Sequence, residues 1–579
     1  MKSRSLNLSF SPEAVRQRQI ASELAFVDGI LAKIHTSLHQ ILRQKWQALR
    51  GNDAAGLRFA NTWLRQQATK WKQTPFAPDL AADYDDLQKL AKARANEMTQ
   101  YCGMQRNFGN SEEESSALLI NYALEKYSAT VKSKHIEGSA LRLKNEKFWK
   151  RKLSSNQERA LEHEHILNGI INKFSECYVS NEQVKRFQAR NQRNEEMLQN
   201  AVVINDLGNE VTLADFVANN ERKLAETMCR LIGLEGIGSS LGYVGLFITV
   251  TCPSKFHAQK LDKTGAYSFN NPNFDGSNPR DANDYLCAVW VLLRAAFSDY
   301  GIDLFGMRVA EPHGNACPHW HLLIFVPRKQ RGLVVRLFRK YFRKMDKYEP
   351  MAWKHRFNVK DIDYHKGSAA GYLIKYLCKN MNGQGMFDSQ GLIDKDFDSG
   401  LDVVSSATRV KAWASCWGIR QFQFIGSAPV GIWRELRRID GLTNDEFSAA
   451  ADAADRGDWA EFTHLMKLDR KVLLKRDAGL NRYREPVQKI KGLIDTNSGS
   501  TIITREREWE LVFKGFDLPR NILNNCRLEN QVDSLGQQSL SPLLHFDASE
   551  KKQPLLVPLQ SCDSKSNRRN SSPPLRLGG

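Results

Sequence analysis

The sequence predicts an α+β protein in four parts. These are a mostly helical N-terminal region over residues 1–235, a mixed sheet-and-helix unit over 236–440, a helical region over 441–529 and a disordered tail over 530–579. Three observations predict it. At 579 residues the chain is too long for one hydrophobic core. Residues 12–100 and 115–232 run on without glycine clusters, whereas a Gly- and Ser-rich stretch at 233–242 is followed by β-branched and aromatic runs closed by turn residues. Beyond about residue 530, Ser, Gln, Pro, Lys and Asn dominate, and such a composition buries too little apolar surface to order a chain.

Taken in order, Ser11-Pro12-Glu13 starts the first helix with a hydroxyl cap, a proline in the first turn and an early acid. Residues 103–114 are polar and read as a loop. The basic stretches 144–152 and 185–193 carry aromatics; each reads as a solvated helix face with a packed ring rather than a nucleic-acid contact. Residues 243–252 form a strand, 260–283 a long loop and 284–300 an apolar helix with Trp290 in the core. Residues 307–311 and 319–326 alternate as two strands around a turn at 312–318. Residues 409–440, with Trp413, Trp417 and Trp433, supply a last strand and the helix that closes the unit. Residues 441–525 read as helical and charged.

The second strand of that hairpin carries the chemistry. Side chains two apart on a strand share a face, so His319 and His321 stand side by side while Trp320, Leu322, Ile324 and Val326 line the other face. Being apolar on both sides apart from the imidazoles, the strand belongs in the middle of a sheet. If the hairpin closes in register, Glu311 falls opposite His319 and completes a Glu/His/His metal set. His313, Gln423 or Cys317 could instead supply the further ligand. The ten cysteines contain no Cys-x-x-Cys pair, which argues against a zinc ribbon and a disulfide framework.

A net charge of +18 points to a polyanionic partner, with nucleic acid the default. No apolar run is long enough to span a membrane, and the first residues lack the apolar core of a signal peptide, so a soluble protein inside the cell is expected. Residues 331–347 are the most amphipathic stretch. Val334, Leu337, Phe338, Tyr341, Phe342 and Met345 repeat on one helical face, and Arg336, Arg339, Lys340, Arg343, Lys344 and Lys347 on another, with Asp346 the single acid. That face is expected to grip phosphates without reading sequence.

Ser368 can cap a helix toward Asn382 on which Tyr372 and Tyr376, four apart, share a face flanked by Lys375 and Lys379. A divalent metal beside such tyrosines is a kit for phosphoryl transfer. The metal polarises a phosphodiester, and nearby cations favour the phenolate as nucleophile.

In this order the residues resemble the His-hydrophobe-His (HUH) endonuclease superfamily. More narrowly, they resemble the replication gene A proteins of temperate tailed bacteriophages. The resemblance rests on Glu311 and His319-Trp320-His321, then Tyr372-Leu-Ile-Lys-Tyr376-Leu-Cys-Lys379. Further support comes from Phe247-Ile-Thr-Val-Thr-Cys-Pro-Ser-Lys255, Lys366-Gly-Ser-Ala-Ala-Gly-Tyr372, Arg420-Gln-Phe-Gln-Phe-Ile-Gly426 and Val430-Gly-Ile-Trp-Arg-Glu-Leu-Arg437, with Phe148-Trp-Lys-Arg-Lys-Leu153 and Tyr178-Val-Ser-Asn-Glu182 upstream. It implies an HUH-endonuclease-like central antiparallel sheet with flanking helices, and a site-specific nickase and rejoining enzyme that initiates rolling-circle replication through a 5′-phosphotyrosine. His319 and His321, with Glu311, would hold Mg²⁺ or Mn²⁺; Tyr372 and Tyr376 are the candidate nucleophiles. The implied partners are single-stranded or supercoiled origin DNA and, since no Gly-x-x-x-x-Gly-Lys-Ser/Thr loop occurs, a separate host helicase with its replication machinery in the bacterial cytoplasm. The competing readings are a relaxase or transposase on the same site, a non-catalytic DNA-binding initiator, and a zinc hydrolase using Glu311 as base and Cys317 or a histidine as extra ligand.

Overall fold

The computed structural model describes residues 12–513 except 71, 73–77, 218–219, 350, 366, 372, 374–386, 389–390, 393–395, 397–398, 440–444, 470–471 and 508. The tail expected over 530–579 lies outside the described residues.

The N-terminal half is helical, from Pro12–Leu31 to Asn181–Asn200. Side-chain caps set its boundaries: Asp83 and Ser111 each close a reciprocal capping box, at the starts of Tyr84–Asn107 and Glu112–Tyr127. The loop expected at 103–114 is therefore short, because the first of these helices runs through Gly103. Both basic stretches are helix faces. Trp149 is buried and donates to the Leu143 carbonyl at 2.6 Å, while Arg186 and Arg190 pair with Glu182 and Glu158. One departure from helix is the hairpin Ala201–Asn205 and Glu210–Thr212.

Five strands, β1 (Tyr243–Thr251), β2 (Phe305–Pro312), β3 (Pro318–Pro327), β4 (Phe357–Asp361) and β5 (Phe422–Ile425), pair antiparallel in the order β5-β2-β3-β1-β4. The strand bearing the histidines is thus central, and it is buried along nearly its whole length. Four longer helices flank the sheet: α1 (Asn220–Ser240), α2 (Pro279–Asp299), α3 (Arg331–Phe342) and α4 (Val403–Trp417). On one face Trp320, Leu322, Ile324 and Val326 pack with Trp290 of α2, Phe338 of α3 and Trp413 of α4. On the other, Leu323 and Phe325 pack with Leu231 and Leu234 of α1 and with Trp433, Phe447 and Trp459. The expected loop at 260–283 holds a small hairpin, Gln259–Leu261 with Ser268–Asn270, and ends where Asn278 caps α2.

Two expectations are corrected. The Gly- and Ser-rich stretch at 233–242 does not end the helix where it begins: Gly233, Gly236 and Gly238 lie inside α1, which runs to Ser240, and let it approach its neighbours. A Cβ at Gly233 would sit 2.6 Å from Cβ of Trp459, and one at Gly238 2.7 Å from the Phe325 ring. Among the described residues of 441–529, helix is confined to Asp445–Asp455 and Trp459–Asp469. Val472–Leu480, Pro486–Asp495 and Thr501–Ile503 form a three-stranded antiparallel sheet, and Trp509–Phe513 pairs back onto Ala201–Asn205. Val472, Leu474 and Leu493 join the core under the central sheet, but Leu473 between the first two is exposed and the register shifts at Lys475/Arg476, so no clean period of two marks these strands in the sequence. No helix among the described residues is long and apolar enough to cross a membrane.

Candidate metal centre

The hairpin closes in the register that the spacing required. Glu311 on β2 is directly opposite His319 on β3, and Val309 is opposite His321. Directly opposed residues on paired strands share a face, so the carboxylate and both imidazoles converge. Their ligand atoms lie within 4.8 Å of one another, and among the described residues this is the one His/Cys/Asp/Glu cluster able to hold a metal. The two Nε2 atoms are 2.9 Å apart, and His321 Nε2 is 3.8 Å from Glu311 Oε2. Two nitrogens about 2.1 Å from one ion at right angles stand about 3 Å apart. The observed separation therefore suits two vertices of one coordination shell. Glu311 is 1% exposed and each histidine 8%, so protein encloses most of the site.

The rings are fixed from behind. Thr249, opposite His321 on β1, places Oγ1 3.0 Å from Nδ1 of that ring. The Phe247 ring stacks on His321 with centroids 5.5 Å apart. His313 stacks on His319 at 4.1 Å, placing a third imidazole beside the cluster but outside the converging set.

Neither Gln423 nor Cys317 is brought to the site. Gln423 pairs with Arg308, one residue out of phase with Val309, so it belongs to the opposite face of the sheet. Cys317 packs into the core on that same opposite face, with its sulfur 3.5 Å from Nε2 of His257. Burial, together with the neighbouring Cys252, pushes its thiol well above the usual range. The zinc-hydrolase reading loses its thiolate because the sulfur lies across the sheet from the imidazoles.

Tyr372, Lys375, Tyr376 and Lys379 lie outside the described residues. The chain just before them is held firmly. Ser368 Oγ accepts from the Gly371 amide at 2.9 Å, as its capping role predicts. Glu235 of α1 accepts from the amides of Ala369 and Ala370, at 2.7 and 2.9 Å. Ala369, Ala370 and Leu373 are buried with Met307, Leu323 and Phe325, on the sheet face that carries the imidazoles.

The basic helix is placed differently. Val334, Leu337 and Phe338 of α3 bury against the Trp320 face, so its outward cations lie across the sheet from the imidazoles. Arg336, Arg339, Lys340, Lys344 and Lys347 are exposed and make no ion pair among the described residues, whereas Arg343 is half-buried and donates to the Trp353 carbonyl. The helix ends at Phe342, so Arg343, Lys344 and Lys347 follow it in the next turn.

Thr249 and Glu235 were not singled out in the sequence. Thr249 is visible only once the β1–β3 register is known, and Glu235 sits in a Gly- and Ser-rich stretch that reads as the end of the helical half.

Comparison with known proteins brings the same segments together. The family model for the bacteriophage replication gene A protein (GPA) matches residues 79–384, a span that includes both histidines and both tyrosines. The chain is 35% identical over 442 residues to the replication gene A protein of Escherichia phage 186, covering 71% of this chain and 61% of that protein. It is 35% identical over 398 residues to the replication protein of Haemophilus phage HP1, covering 66% and 50%. It is 29% identical over 442 residues to a Salmonella paratyphi A protein named probable replication endonuclease from prophage-like region, covering 68% and 54%. The chain thus spans about half to three-fifths of the length of these relatives. No solved structure matches.

Proposed function

Since the chain belongs to the bacteriophage replication gene A protein family, we propose that it is a metal-dependent endonuclease that nicks one DNA strand at a phage replication origin and later rejoins it. The observation that carries this reading is the pair of Nε2 atoms 2.9 Å apart beside a buried carboxylate, on the central strands of the sheet. His319, His321 and Glu311 would hold the ion, and the mixed nitrogen and oxygen donors suit Mn²⁺ or Mg²⁺. Such an ion supplies Lewis acidity toward a phosphodiester oxygen.

The remaining chemistry belongs to the chain. The hydroxyl of Tyr372 or Tyr376 gives up its proton, favoured by Lys375 and Lys379, and its oxygen bonds to phosphorus. The bond from phosphorus to the 3′ oxygen breaks, and that oxygen takes a proton from solvent. The products are a 5′-phosphotyrosine and a free 3′ hydroxyl. Rejoining is the reverse attack by a 3′ hydroxyl, and because the ester keeps the energy of the broken linkage no ATP is consumed. A second tyrosine four residues along the chain allows a second transfer before the first is resolved. Glu235 and Ser368 pin the segment leading into these tyrosines onto the imidazole face. The cations Arg336, Arg339 and Lys340 of α3, across the sheet, suit backbone contacts to DNA outside the cleaved step. Unwinding is left to a host helicase in the bacterial cytoplasm.

The test is to incubate the protein with single-stranded origin DNA and Mn²⁺ and look for a covalent adduct. Adducts should form, require metal, and disappear in the double variant Tyr372→Phe, Tyr376→Phe; their survival there removes the tyrosines from the mechanism. His319→Ala should abolish cleavage while leaving salt-sensitive DNA binding in place. Equal loss of both would assign the histidine to folding.

A further inference from the structure

We propose that Tyr348 and Trp353 form a base-stacking platform that receives single-stranded DNA beside the metal centre. The proposal deepens the nickase reading and rests on it for the identity of the strand. Both rings stand in solvent, Tyr348 87% and Trp353 65% exposed, on the connection between α3 and β4. Two such rings within six residues, set among the exposed cations Lys344, Lys347 and Lys354, match what a single strand needs: π-faces for bases and positive charge for the backbone. The Lys347 ammonium lies 4.6 Å from the Tyr348 ring centre. The acids nearby are already engaged. Asp346 pairs with Lys255 at 3.7 Å; Glu349 accepts from the Ser254 amide at 3.0 Å and lies 3.6 Å from Arg356.

The connection is braced, so the rings are held out rather than loosely hung. The buried Arg356 guanidinium donates to the carbonyls of Phe342 and Met345, at 2.9 and 3.1 Å, and to the Tyr285 hydroxyl at 2.9 Å. Asp346 and Met351 turn the chain through left-handed backbone, at φ 49° and 62°, a conformation that non-glycine residues keep only when their surroundings enforce it. The same connection is tied to the reaction centre. Thr251 donates its hydroxyl to the His355 carbonyl at 2.6 Å and its amide to the Arg356 carbonyl at 3.2 Å, and Thr251 is the residue directly opposite His319. A strand stacked on Trp353 is therefore carried toward the end of the sheet where the imidazoles lie.

The experiment measures binding of the metal-free protein to a short labelled deoxythymidine strand and to a duplex of equal length. Tyr348→Ala and Trp353→Ala should each weaken single-strand binding about tenfold, with duplex binding nearly unchanged, and the corresponding Phe variants should restore it. Single-strand binding as tight as wild type, or equal loss on strand and duplex, overturns the platform. In the wild-type protein, irradiating an iododeoxyuridine-substituted strand should crosslink the peptide containing residues 343–355; crosslinks confined to other segments overturn it as well. If the Ala variants instead remove self-association and leave DNA binding alone, the patch belongs to a second copy of this chain. The readout needs neither cleavage nor origin sequence. Failure of the nickase reading, seen as no adduct in the wild type, is thereby distinguished from failure of the platform.

Discussion

Thr249 Oγ1 stands 3.0 Å from Nδ1 of His321, while Nε2 of the same ring lies 2.9 Å from its partner imidazole. A threonine hydroxyl both donates and accepts, so when a metal takes the Nε2 lone pair Nδ1 keeps its proton and donates it to Oγ1, and the neighbouring strand supports the metal-binding tautomer. Thr249→Val keeps the shape and removes the acceptor. It should lower Mn²⁺ affinity about 10- to 100-fold, read by calorimetry or by the paramagnetic resonance of free Mn²⁺. Unchanged affinity would mean that packing against Phe247 alone orients the ring.

Glu235 acts through the backbone of another element. Its carboxylate caps the two amides of Ala369 and Ala370, where an anion also complements the positive end of a helix. Glu235→Ala should cost about 1–2 kcal/mol of local stability and slow adduct formation. Mn²⁺ binding should stay as in wild type, and Glu235→Gln should recover part of the rate. A parallel fall in metal affinity would show that the substitution had disturbed the sheet face itself.

Gly238 is required by contact rather than by backbone angle. An added Cβ would lie 2.7 Å from Cδ1 and 3.0 Å from Cγ of Phe325, a ring with no room to move in the core. Gly238→Ala should destabilise the protein by about 1–3 kcal/mol in denaturant melts. Coupling it with Phe325→Leu should return some of that loss; no recovery would place the strain elsewhere.

His165 gives the N-terminal half a pH dependence. Burial, the largest influence, holds its imidazole down at about 4 against an ordinary 6.5, with Nδ1 2.8 Å from the Leu161 carbonyl and Nε2 3.0 Å from Ser37 Oγ. A depressed value means that the unfolded chain takes the proton first. Stability is complete above pH 6.5 and drains away as pH falls toward 4, by about 3 kcal/mol. The neighbouring Glu162 carboxyl, pushed up to about 7 by burial, shifts stability the other way over much of this range. The informative quantity is therefore the difference between wild type and His165→Gln. Melting temperatures should fall less steeply for the variant between pH 6.5 and 4, and equal slopes would remove His165 as the cause.

By itself the sequence determined the helical first half, the central strand and the Glu/His/His cluster, because each is written in a local period. Alternation at 319–326 separates the imidazoles from the apolar face, and the turn length between the strands leaves one register that brings Glu311 opposite His319. Ser368 was equally legible, since a cap bonds only three residues ahead. What the tertiary structure decided lies between elements far apart in the chain. Gln423 falls on the wrong face because β5 pairs with β2 one residue out of phase with a ligand position. The glycines of α1 serve close packing because Phe325 and Trp459 come to meet them. The strands of 472–513 exist because core positions and a partner at Ala201–Asn205 await them. Period and composition report what a segment can bury; only the completed packing shows against what, and on which side.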